Sequence, residues 1–134
     1  MVQSEIQLRV RYSETDRMGY VYYGNYAAYL EVARVEALRT LGISYKELED
    51  EGILLPVSDY QIRYLKPAYY DEVLTIKTVI PGPTGVRLLF NYEILNAKAE
   101  LIAVASTTLV FVTAATGKPC SPPKEISELI TAGS

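Results

Sequence analysis

Asp16 is the residue of this chain best placed to do chemistry. It lies in RYSETDRMGYVYYGN, Arg11 to Asn25, which joins an alternating stretch to the longest helical pattern, with Gly19 and Gly24 loosening the backbone on either side. A carboxylate near a helix start faces backbone N–H groups that have no partner inside the helix. One short segment can therefore supply both an acid and an oxyanion binder. The bland alternative is that Asp16 closes a turn or caps the helix, the commonest use of an acid between a strand and a helix. Glu14, the second acid of the segment, reads as solvent-facing or as a loop ligand.

The sequence of 134 residues holds no histidine and one cysteine, Cys120. Absence of imidazole excludes Ser-His-Asp and Cys-His arrangements, and leaves carboxylates, backbone dipoles, Tyr, Lys and hydroxyls. A lone cysteine forms no internal disulfide, and structural zinc wants several Cys or His ligands, so no metal or other cofactor is expected. Cys120, in a Pro-rich tail without an activating neighbour, reads as inert. A net charge of −3 argues against broad nucleic-acid binding. With no leader-like N-terminus and no apolar run of spanning length, the expectation is a cytoplasmic protein without a membrane anchor, folded as one domain over 1–134.

The elements that must position Asp16 follow from periodicity. Ile6, Leu8, Val10 and Tyr12 alternate with polar neighbours, which predicts a strand with one buried face. Tyr26, Leu30, Ala33, Ala37 and Leu41, joined by Ala27 and Leu38, follow a helical period that Gly42 ends. Arg34 falls inside that apolar face. The reading for it is a buried or interfacial ion pair, with Glu31 the nearest local partner, or contact with substrate or the catalytic loop. Ser44 and Glu47 match a capping box opening a short helix over 45–51.

Tyr60, Ile62 and Tyr64 then predict an amphipathic strand that Lys66-Pro67 breaks, and Val73–Ile80 and Val86–Leu95 a hairpin across Pro81–Gly85. The most apolar run, Leu101–Val112, predicts a strand buried on both faces in mid-sheet, and the tail one short helix. A single sheet wrapping one long helix would bury much of that helix's circumference.

DRMGYVYYGNY, the helix YLEVARVEALRTLGI and the segment IRYLKPAYYDE together resemble the hot-dog-fold acyl-CoA thioesterases of the 4-hydroxybenzoyl-CoA thioesterase type, including the Tol-Pal-associated branch. The likeness extends over nearly the whole chain. It implies an α+β fold in which a curved five-stranded antiparallel sheet wraps a long central helix. It also implies a homodimer, or dimer of dimers, with active sites between the subunits.

Carried across by position, the resemblance makes Asp16 the catalytic acid and the N–H of Tyr23, helped by that of Gly24, the donor to the thioester carbonyl. Many of the Tol-Pal-associated branch carry His where this chain has Tyr23, whereas the 4-hydroxybenzoyl-CoA branch can carry Tyr. Tyr20, Tyr22, Tyr23 and Tyr64 are candidates to line an acyl pocket, with packing the alternative for most tyrosines. Arg63, Lys66 and Arg87 are candidates to meet coenzyme A phosphates, with isolated surface cations the alternative, and Ser58 could orient water or substrate from a partner subunit. The activity implied is hydrolysis of an acyl-CoA, with Asp16 as nucleophile or general base. The rival is a noncatalytic acyl-CoA-binding module on the same fold. Acyl carrier protein is a variant substrate, and a dehydratase or hydratase is disfavoured because those relatives use histidine.

Overall fold

A computed structural model of the chain describes residues 1–132, so the last two residues of the expected domain lie outside the described ones. In chain order the elements are β1 (Val2–Arg9), a 3-10 turn (Tyr12–Glu14), α1 (Asn25–Arg39), α2 (Tyr45–Asp50), β2 (Ile53–Leu54), β3 (Val57–Tyr64), β4 (Val73–Ile80), β5 (Pro83–Thr84), β6 (Arg87–Leu95), β7 (Leu101–Val110), β8 (Val112–Thr113) and α3 (Lys124–Ala132). The five long strands form one antiparallel sheet in the order β1-β4-β6-β7-β3. β5 pairs with β6 off that path, and β2 and β8 form a separate two-stranded ladder. The helix-and-sheet architecture is the α+β arrangement that the resemblance implies. No helix among the described residues is long and apolar enough to cross a membrane.

Strand alternation builds the inner face of the sheet. Leu74, Ile76 and Ile80 of β4 and Leu88, Phe90, Tyr92 and Ile94 of β6 point inward and are buried, while Lys77, Asn91 and Glu93 point out. Burying a side chain of the size of Leu or Phe contributes roughly 1.5–3 kcal/mol, so this face and the buried stripe of α1 supply most of the cohesion. α1 covers the sheet at β1 and β4. Its left-handed exit is at Gly42, φ +82°, where Ile43 N–H reaches the Leu38 carbonyl and Gly42 N–H that of Arg39.

Five expectations are corrected. The first strand stops at Arg9, paired with Val73, and Tyr12 is exposed rather than inward. Past Val10 the Glu14 carboxylate takes the Arg11 N–H at 2.8 Å and turns the chain away from the sheet. Ala27 is exposed, because the buried stripe of α1 runs through Tyr26, Tyr29, Leu30, Ala33, Ala37 and Leu38. Tyr29 can enter that stripe because its hydroxyl donates to Glu14 Oε1 at 2.9 Å.

Arg34 is buried at 8% exposure as expected, yet it makes no ion pair with Glu31, which is exposed. β3 is not amphipathic: only Ile62 is half-buried, and Val57, Tyr60 and Tyr64 are exposed. Among the described residues it is an edge strand whose one ladder partner is β7, and no strand pairs with its outer edge. β7, by contrast, has no exposed residue, as its apolar run predicts, although it lies one strand in from the edge rather than at the centre.

Candidate active site

The Asp16 loop is held at both ends by one residue. Glu14 Oε1 accepts from Arg11 N–H and Tyr29 Oη–H, and its Oε2 from the Arg11 guanidinium at 3.0 and 3.1 Å. Its main-chain carbonyl accepts the Tyr22 N–H and the Asn25 Nδ2–H, each at 2.8 Å. The entrance of the loop, its exit and the first turn of α1 therefore converge on Glu14. Burial pushes the Glu14 carboxyl up, but hydrogen bonds from the Arg11 backbone, the Arg11 side chain and Tyr29 outweigh it and hold the group below the ordinary carboxylate value. Burial, with the Glu14 acceptor behind it, raises Tyr29, so that phenol stays protonated and donates. Of the two roles weighed for Glu14, the loop ligand is the one the geometry has.

Asp16 closes a turn with one oxygen and leaves the other. Its Oδ1 accepts from Met18 N–H at 2.9 Å and Tyr20 N–H at 3.3 Å, and its carbonyl accepts the Gly19 N–H at 3.0 Å. Gly19, at φ +81°, takes the left-handed conformation this turn needs. Oδ2 has no hydrogen-bond partner among the described residues. Asp16 does not cap α1, which begins nine residues later with Gly24 as its N-cap.

The turn from Tyr22 into α1 supplies open donors. Asn25 N–H reaches the Tyr22 carbonyl and Tyr26 N–H that of Tyr23, whereas the Tyr23 and Gly24 N–H groups donate to nothing among the described residues. Gly24 has negative φ and is small for another reason: a Cβ there would lie 2.7 Å from the Tyr22 ring. That ring packs on Tyr23 at 4.7 Å between centroids.

A cavity of about 300 Å³ joins Asp16 to Tyr23, Tyr26 and, from the end of β3, Tyr64 and Lys66; Met18 and Leu65 add apolar wall. Tyr26 is 3% exposed, packs its ring on Tyr64 at 5.3 Å, and its hydroxyl has no hydrogen-bond partner among the described residues. Burial, then the neighbouring Tyr64, push that hydroxyl up to about 12, so it is a neutral donor. Lys66 Nζ is paired with the Glu100 carboxylate at the surface, and that contact, with a hydrogen bond from Asn96, lowers Glu100.

Within this chain the cavity gathers Asp16, Tyr20, Tyr23, Tyr64 and Lys66 of the residues singled out in the sequence. Gly24 is next in the chain and faces a neighbouring cavity along α1. Tyr22 is exposed beside it. Ser58 lies at the register shift of β3 with its Oγ on the Thr108 carbonyl at 3.1 Å, while Arg63 projects from β3 and Arg87 from β6 without lining the Asp16 cavity. Sequence reasoning missed Tyr26 as a cavity wall, since a tyrosine in an apolar helical stripe looks like core.

The profile of the thioesterase-like superfamily matches residues 10–130, spanning the loop, both cavities and every strand after β1. The chain belongs to that superfamily. The Escherichia coli protein named acyl-CoA thioester hydrolase YbgC is 36% identical over 119 residues, 89% of this chain and 89% of YbgC. The Bacillus subtilis protein YneP is 37% identical over 116 residues, 87% of this chain and 84% of YneP. The solved structure of the DHNA-CoA thioesterase of Staphylococcus aureus superposes with a TM-score of 0.87 at 40% identity, covering 90% of this chain and 81% of that one. The fold of this superfamily member is thus the hot-dog fold that the resemblance implies, and thioester hydrolysis is the chemistry against which its loop is to be weighed.

Proposed function

We propose that this chain is an enzyme that hydrolyses an acyl-CoA thioester to a free carboxylic acid and CoA, with Asp16 as its reacting carboxylate. The observation that carries the reading is that a single braced loop holds one oxygen, Asp16 Oδ2, and two donors, the Tyr23 and Gly24 N–H groups, that no described residue uses. The acyl-CoA substrate is supported by the names of the E. coli and S. aureus relatives.

Two routes use these groups. As nucleophile, Asp16 Oδ2 bonds to the carbonyl carbon, the C–S bond breaks, and CoA leaves as a thiolate that takes a proton from solvent. Water then opens the mixed anhydride to the free acid and Asp16. As general base, Asp16 takes a proton from a water whose oxygen bonds to the carbonyl carbon; the C–S bond then breaks, and Asp16 passes that proton on to the departing thiolate or to solvent, which restores the carboxylate. Both routes put negative charge on the carbonyl oxygen, where one preorganised donor is worth roughly a hundred- to thousandfold in rate. Tyr64 and Lys66, at the cavity mouth, suit contact with the substrate, and Lys66 with a CoA phosphate once it leaves Glu100.

The outer edge of β3, with Val57, Tyr60 and Tyr64 exposed and no strand paired to it among the described residues, supports a homodimer joined there, which would bring partner residues to the cavity. Thiol release from a panel of short, long and aromatic acyl-CoAs, wild type against Asp16→Asn, tests the reading. Turnover by wild type and a loss of about a thousandfold or more in a still-folded variant is the expected result. Undiminished variant activity would remove Asp16 from the reaction. No turnover from any ester, with equal CoA-ester binding by both proteins, would leave a binding module.

A further inference from the structure

Arg34 is the feature of this molecule that the catalytic reading leaves unused. It is 8% exposed, and among the described residues its Nε is sealed from solvent without an acceptor and no carboxylate lies within 4.0 Å of its guanidinium. The hydroxyl of Tyr45 is sealed beside it without a well-formed hydrogen bond; burial raises this phenol, and the charge and close approach of Arg34 oppose that rise. Tyr92, raised by burial and eased by its bond to Thr107 and by Arg34, flanks the other side. A buried guanidinium with five donors and no anion is a costly element unless something meets it.

Arg34 also ends a cavity. About 450 Å³ of space runs along α1 from Gly24 past Ala27, Ala28 and Glu31 to Arg34, walled on the β3 side by Val57 and Tyr60. These helix residues share a side because they are three or four apart. At 1.5 Å per residue the stretch from Gly24 to Arg34 spans roughly 15 Å, and helical side chains lean back towards the N-terminus, which brings the guanidinium nearer still. Gly24, Ala27 and Ala28 leave the floor open where larger side chains would fill it.

We propose that Arg34 is a specificity-determining residue that reads the far end of the acyl group. The inference rests on the acyl-CoA reading. With the thioester carbonyl at the Tyr23 and Gly24 N–H groups, the acyl chain lies over Ala27 and Ala28, and an oxygen acceptor at its end meets the guanidinium. A hydroxyl or a carboxylate oxygen supplies that acceptor. Glu31, exposed on the lip of the same cavity, opposes a carboxylate and not a hydroxyl, which sets the order between the two.

The test is thiol release from three acyl-CoAs of equal chain length, one unsubstituted, one ending in a hydroxyl and one ending in a carboxylate. In wild type the hydroxyl-ended ester should exceed the unsubstituted one in kcat/KM by about 10- to 100-fold, the range a hydrogen bond to a charged donor gives. Arg34→Met, which replaces a buried charge with an apolar group of similar reach, should bring that ratio to about one. Arg34→Lys should fall between, since it keeps the charge and loses the fork. Glu31→Gln should raise the carboxylate-ended ester relative to the hydroxyl-ended one.

A wild-type ratio near one, measured without any variant, overturns the proposal. So does an unchanged ratio in an Arg34→Met protein whose circular dichroism matches wild type. Thiol release without end-group preference removes only the role of Arg34, whereas no thiol from any ester removes the thioesterase reading and this one with it.

Discussion

Replacing Glu14 by Ala should unfasten the loop that carries Asp16, and the loss can be worked from its contacts. The exposed half of the Arg11 pair is worth little, since the Arg11 side chain is 76% exposed and surface pairs contribute about 0–1 kcal/mol. Losing the acceptor for the Arg11 N–H, a cap-like contact, costs about 1 kcal/mol. Orphaning the buried Tyr29 hydroxyl costs about 1–3 kcal/mol. The sum is about 3 kcal/mol, which for a domain of this size lowers Tm by roughly 10 °C. Calorimetry of wild type, Glu14→Ala and Glu14→Gln measures it, with Gln expected to lose about 1 kcal/mol because its amide oxygen keeps the two Oε1 contacts.

The same residue has a pH signature. Its folded-state value lies below the ordinary 4.5, so its contribution is present above the unfolded value and is lost as pH falls through the depressed folded one. The stability gap between wild type and Glu14→Gln should therefore be widest above about pH 5 and close below that window. Turnover should fall with it, because a misplacement of about 1 Å in a catalytic donor can cost ~100-fold. A Glu14→Ala protein that melts within 3 °C of wild type, about 1 kcal/mol on the same scale, would refute the reasoning.

Two further changes probe the frame. Gly19→Ala meets no atom within 4 Å, so its whole cost is backbone: forcing a side chain to φ +81° should lose about 1–2 kcal/mol by urea unfolding, with turnover lowered further if the Asp16 turn shifts. Tyr92→Phe removes the buried 2.7 Å bond to Thr107 beside Arg34, and should cost about 1–3 kcal/mol in chemical denaturation while leaving the apolar contacts of its ring.

The parts of the fold legible in the sequence are those where one physical signal dominates. β4 spans Val73–Ile80 as its β-branched run predicts, and the capping box opens α2 at Tyr45, with the Ser44 side chain accepting from Glu47 N–H. What failed were positions set by distant partners. Tyr12 continues the alternation of β1, yet a carboxylate two residues on turns the chain out of the sheet. Tyr60 and Tyr64 alternate as a half-buried strand would, but periodicity does not say whether anything covers the strand. For the candidate site, the sequence named Asp16, Tyr23, Tyr64 and Lys66, which share a cavity. It gave no reason to join Tyr26 to them, because wall and core use the same residue types.

The turn-closing and catalytic readings of Asp16, rivals in the sequence, need not compete. A carboxylate has two oxygens, and here the backbone of Met18 and Tyr20 holds Oδ1 while Oδ2 is unclaimed. Fixing one oxygen orients the other, since the group then has little rotation left to lose when it meets a carbonyl carbon or a water, and preordering of this kind lowers a barrier without any new contact. Asp16→Asn separates the two oxygens. Asn keeps the acceptor that closes the turn and can stand in Gly19's loop without strain, so the fold should survive within about 1 kcal/mol. Only the second position changes, from a carboxylate oxygen that can attack or take a proton to an amide nitrogen that can do neither. An Asn variant that unfolds would mean that the charge on the turn matters more than its geometry, and would return Asp16 to a structural role.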